Sequence, residues 1–160
     1  MGVSGCGKTS VGQALSAACE MRFIDGDDLH PERNIQKMSK GQPLDDDDRR
    51  PWLVEVGRTL ATIERSTVIG CSALKKKYRD LIRSEAVEAV HFIHLDASKD
   101  VLAERHAQRK GHFMPPSLLN SQFEALEPLD PDELGIRIDI ERPFSEVVGK
   151  AEMYVRETTA

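Results

Sequence analysis

Eight residues near the start of the chain, Gly2-Val3-Ser4-Gly5-Cys6-Gly7-Lys8-Thr9, constrain the fold more than any other segment. They satisfy the spacing G-x-x-x-x-G-K-[ST] at every fixed position. Glycines there let backbone N–H groups curl around phosphate oxygens without side-chain clash. The Lys8 ammonium reaches the β and γ phosphates, and the Thr9 hydroxyl is a magnesium ligand. A helix opening at this point turns its positive end toward the anion. The segment therefore predicts a nucleoside triphosphate site in which residues 2–9 form the cradle and Lys8 acts on the transferring group. A loop of this kind joins a strand to a helix, which requires an α/β architecture.

The remaining pattern agrees. Short apolar runs read as strands at Arg22–Ile24, Thr67–Cys71, Val90–Leu95 and Ile136–Ile140. Helical patterns fill 8–20, 31–40, 46–65, 74–86, 98–109, 116–126 and 144–157, with Pro31 and Pro51 in first turns and Gly41 past a helix end. Alternation of this sort implies a parallel sheet covered by helices on both faces, with ligands beyond the carboxyl ends of its strands. At 160 residues, with no linker or repeat, the chain reads as one domain over 1–160.

Charge narrows the partners. The net charge of −5 and a pI near 5.6 exclude the broad basic field of a general nucleic-acid binder. No apolar run approaches the ~20 residues of a membrane-spanning helix. The three cysteines, Cys6, Cys19 and Cys71, show no metal spacing, and an odd count suits a reducing compartment.

Three further segments carry chemistry. Asp25-Gly26-Asp27-Asp28 ends a strand, so Asp25 and Asp27 are expected on one side of an extended segment. One can serve magnesium and the other can take a proton from an attacking hydroxyl. Lys75, Lys76, Lys77, Arg79 and Arg83 open a basic helix beyond another strand end, placed for an acid group on the acceptor. Arg105 and Arg109, four apart before Gly111, suit a lid over approximately 105–127 whose arginines close on the phosphates. Cys6, beside a helix N-terminus, is expected to be a reactive thiol that alkylation would block.

The chain resembles the gluconate kinases (gluconokinases), in the P-loop small-molecule kinase group that also holds shikimate and adenylate kinases. The matching stretches are MGVSGCGKT, DGDDLHPERNIQKMSKGQPLDDDDRRPWL, CSALKKKYRDLIR, RKGHFMPPSLLNSQFEALEP and IDIERP, which span nearly the whole chain. The resemblance implies a P-loop kinase fold and ATP-dependent, magnesium-assisted phosphorylation of D-gluconate at the 6-hydroxyl. It also implies a cytoplasmic enzyme, often a homodimer. Rival readings are a kinase for another sugar acid or shikimate, and a nucleotide-binding regulator without catalysis. By the same resemblance, Lys8, Thr9 and the loop hold ATP and magnesium, with Asp25 toward the metal. Asp27 lies beside the acceptor hydroxyl. Arg49, Lys75 and Arg79, with His30 and Gln122, contact the sugar acid, and Arg105 and Arg109 are lid arginines. Residues 139–143 stand where related kinases pack the adenine against backbone. Trp52 reads as helix packing.

In the resembling family an apolar strand precedes the P-loop, whereas here only Met1 stands before Gly2. The expectation is that Met1 is an internal methionine and that the functional chain is longer by one strand of roughly 5–6 residues plus a short lead.

Overall fold

The structure, a computed structural model, describes residues 1–108 and 116–158. Four strands, β1 (Arg22–Asp25), β2 (Thr67–Gly70), β3 (Phe92–Asp96) and β4 (Gly135–Asp139), fall within one or two residues of the expected runs. Among the described residues seven helices pack around them: α1 (Lys8–Ala18), α2 (Glu32–Ser39), α3 (Asp46–Thr62), α4 (Lys76–Glu85), α5 (Lys99–Gln108), α6 (Pro116–Ala125) and α7 (Phe144–Thr158). A 3-10 turn over Gly26–Leu29 follows β1 directly.

Local chemistry explains the boundaries. Asp45 and Asp48 cap α3 reciprocally, each side chain accepting from the other's backbone N–H. Gly41, at φ +70°, follows α2 in the left-handed conformation that ends helices. Pro51 lies inside α3 rather than in its first turn.

The sheet departs from expectation. β1 pairs in parallel with β2 (Arg22 with Thr67 through Asp25 with Gly70), and β3 pairs in parallel with β4 (Phe92 with Gly135 through Asp96 with Asp139). Among the described residues these are two separate ladders rather than one continuous sheet. Met1 and Gly2 bridge them at one end. Met1 N donates to Ile93 O, Leu95 N to Met1 O at 2.9 Å, and Gly2 N to Ser72 O at 3.1 Å. Beside this bridge lies a cavity of about 520 Å³ whose lining includes Val11, Leu15, Val56, Val68, Ile93 and Tyr154.

Two cores flank the strands. One joins α1, α5, α6 and α7 through residues such as Leu15, Leu102, Leu119, Ile138 and Val147. The other joins α3 and α4 through Trp52, Leu53, Val56, Tyr78 and Ile82, against Phe92 of β3. Helices thus cover both faces, and the ends of β1 and β2 open beside the loop 2–9.

Candidate active site

The loop 2–9 wraps its own lysine. Lys8 Nζ donates to the carbonyls of Gly2 at 3.0 Å and Val3 at 3.2 Å. Val3 and Cys6 turn their side chains into the core, at 2% and 1% exposure. This corrects the reactive-thiol expectation: the Cys6 side chain is buried and closed to reagents. The Cys6 N–H closes a tight turn onto Val3 O at 3.3 Å.

The carboxyl end of β1 meets this loop. Thr9 Oγ1 donates to Asp25 Oδ2 at 3.1 Å, and the other carboxylate oxygen of Asp25 accepts the Asp27 N–H at 3.1 Å. Asp25 therefore starts the 3-10 turn as its cap and ties that turn to the loop. The expected extended Asp25–Asp27 segment is instead a strand end followed at once by this turn, which leaves Asp27 exposed above Asp25. Gly26 is the pivot. A Cβ there would lie 2.5 Å from Gly70 O, so only glycine permits this approach of β1 to β2. Thr9 Oγ1 and Asp25 Oδ2 converge as two hard oxygen donors, a set that fits magnesium. That ion keeps water and phosphate ligands and needs no all-protein cage.

One wall of the cleft is aromatic and basic. Trp52 is buried, donates Nε1–H to Gly26 O at 2.7 Å, and stacks on His30 with ring centroids 4.1 Å apart. Trp52 thus packs the turn in place, and His30 is the ring presented outward. Burial pushes the His30 imidazole below its ordinary pKa, with Asp27 pulling it up and Arg49 pushing it down. His30, Asp27 and Arg49 are therefore electrostatic neighbours. Arg49 lies 5.9 Å from the Tyr78 ring and has no acidic partner among the described residues.

The other expected sugar-acid cations are occupied. Lys75 Nζ donates to Asp46 Oδ1 at 3.1 Å, and Lys77 and the Tyr78 hydroxyl converge on the same carboxylate. These donors hold the Asp46 carboxyl far below the usual carboxylate range. Arg79 is corrected outright. It is 0% exposed and forks onto Glu133, with Nε to Oε1 at 2.7 Å and Nη2 to Oε2 at 2.8 Å. Its remaining N–H groups go to the carbonyls of Ala73, Leu74, Glu127 and Pro128. No donor is left for a ligand. The pair holds the Glu133 carboxyl down at about 2.

Two residues near the expected lid sit elsewhere than supposed. Gln122 Oε1 accepts the Ser4 N–H at 2.7 Å, so its amide oxygen serves the loop. Arg105 Nη2 donates to Ile140 O at 3.0 Å, just beyond the end of β4. The α5 residue that reaches the loop is His106, whose Nε2 lies 3.0 Å from Ser4 O. Sequence reasoning missed it, because a lone histidine in a charged helix carries no signal until its partner about a hundred residues away is known. Arg109 lies outside the described residues.

Residues 4–128 match the profile of the shikimate kinase family. The chain is 48% identical over 151 residues to the thermosensitive gluconokinase of Escherichia coli (strain K12), a match covering 92% of this chain and 80% of that one. The crystal structure of a gluconokinase from Sinorhizobium meliloti 1021 superposes with a TM-score of 0.87 at 48% identity, covering 99% of this chain and 90% of that one. Shikimate kinase from Aquifex aeolicus vf5 superposes with a TM-score of 0.61 at 17% identity, covering 99% and 95%, a likeness of fold alone.

Proposed function

The chain belongs to the gluconokinase family of P-loop kinases, and from that premise we propose that it transfers the γ-phosphoryl group of ATP to the 6-hydroxyl of D-gluconate, giving 6-phospho-D-gluconate and ADP. The observation that carries this reading is the Thr9–Asp25–Asp27 chain of hydrogen bonds, which makes the phosphate cradle and an exposed carboxylate one rigid unit. An acceptor hydroxyl placed between them meets a base on one side and the phosphoryl group on the other.

Phosphoryl transfer requires positioning and charge neutralisation more than covalent chemistry. Asp27 accepts the proton of the 6-hydroxyl as the oxygen attacks the γ-phosphorus. Lys8 leaves its two loop carbonyls and pairs with the phosphates. Thr9 and Asp25 would hold magnesium, which neutralises phosphate charge when bound. Arg49, free of a carboxylate partner among the described residues, receives the acid group of gluconate, and His30 on Trp52 forms the wall that orients the polyol. Lys75 and Lys77 stay with Asp46 and supply background positive potential. A cytoplasmic, homodimeric enzyme completes the reading, and three free cysteines suit a reducing compartment.

The test is ADP release, coupled to a spectroscopic readout, across a panel of D-gluconate, related sugar acids, shikimate and no acceptor. Gluconate should give the highest kcat/KM. Turnover no faster than without an acceptor removes the assignment, and a higher kcat/KM for shikimate or another acid reassigns the substrate.

A further inference from the structure

Ser4 of the phosphate loop has its backbone donor and acceptor both taken by side chains from α6 and α5. Gln122 of α6 accepts its N–H at 2.7 Å, and His106 of α5 approaches its carbonyl at 3.0 Å. A carbonyl only accepts, so His106 Nε2 carries the hydrogen and donates it. The other ring nitrogen, Nδ1, is buried and has no partner among the described residues. The ring is pressed close: a Cβ on Gly5 would lie 2.7 Å from His106 Nε2. Gly5 also holds φ at +82°, a conformation that side chains disfavour. The sequence therefore makes room for this histidine against the loop.

Peptide planarity converts these contacts into a consequence for the cradle. In a trans peptide the C=O and the following N–H point in opposite directions. By fixing the Ser4 carbonyl, His106 turns the Gly5 N–H to the opposite edge of that peptide, where it has no protein acceptor among the described residues. By accepting the Ser4 N–H, Gln122 turns the Val3 carbonyl the other way, and it is this carbonyl that holds Lys8 Nζ at 3.2 Å. One contact thus aims a phosphate donor, and the other aims the carbonyl on which the catalytic lysine rests.

We propose that His106 and Gln122 are a pair of positioning residues that hold the Ser4 backbone from two sides, and so set the affinity of the loop for the triphosphate. The inference rests on the nucleotide reading of this loop and deepens it. It does not depend on gluconate being the acceptor.

Equilibrium binding of ATP by calorimetry, on the full chain without acceptor, tests it separately from the substrate assignment. His106→Ala and Gln122→Ala should each weaken ATP binding about tenfold, the effect of one lost hydrogen bond. His106→Gln, which keeps a side-chain N–H donor, should recover most of that loss. The double variant should lose less than the product of the two, because both act on one residue. In steady state the KM for ATP should rise, while the KM for the acceptor moves less than twofold. Unchanged ATP affinity in either single variant overturns the proposal. So does a loss that His106→Gln does not recover, or one that raises both KM values together in step with a fall in Tm.

Discussion

Asp27 holds the exposed end of a short relay, Thr9 to Asp25 to the Asp27 backbone, and its carboxylate keeps no protein donor to its side chain among the described residues. A group left this way is free to accept a proton. Asp27→Asn keeps the shape and removes the base, so kcat should fall by about 10²–10⁴, while ATP binding measured by calorimetry stays within twofold. A near-normal kcat would assign the base elsewhere. At this scale the sequence was legible where a residue's role follows from near neighbours. Thr9, Asp25 and Asp27 belong to two short motifs, and the structure joins them. Arg79 was misplaced for the opposite reason. A run of five cations in ten residues beyond a strand end looks like an anion site, and only the tertiary fold reveals that one of them carries a buried fork to Glu133.

Elements fix what residues alone cannot. Arg79 ties α4 to the segment 127–133 through the Glu133 carboxylate and the carbonyls of Glu127 and Pro128, and to the turn before α4 through those of Ala73 and Leu74. Arg79→Ala would leave the Glu133 carboxylate buried with Arg83 as its one cationic partner among the described residues. Breaking one side of such a buried pair costs about 3–5 kcal/mol. The expected result in urea titration is a marked drop in midpoint, not a selective rise in the acceptor KM. At the β1–β2 junction, Gly26→Ala would push a methyl against Gly70 O and shift the turn that carries Asp27. It should cost about 1–3 kcal/mol and lower kcat as well, read from denaturation and turnover on the same sample. The helices and strands themselves were readable because apolar period and capping residues are local. The α3 start shows this, with four consecutive aspartates of which Asp45 and Asp48 close the cap. The roles of His106 and Gln122 were not readable, because each depends on contact with Ser4 across more than a hundred residues.

Over the whole molecule, two parallel ladders meet around an apolar cavity of about 520 Å³. Met1 already pairs with β3 on both its N–H and its carbonyl, in the sense of a parallel partner strand. The two cores, one under α1 and α7 and the other under α3 and α4, hold the ladders that carry the β1 end, which Thr9 ties to the phosphate loop and Trp52 to His30. In the proposed transfer these parts act together.

The most direct measurement is ³¹P NMR of the product formed from ATP and D-gluconate. Transfer to the 6-hydroxyl predicts a phosphomonoester resonance split into a triplet by the two protons on carbon 6, growing in step with ADP and absent in Asp27→Asn over the same interval. Inorganic phosphate in place of the ester, or an ester split by a single proton, would contradict the account.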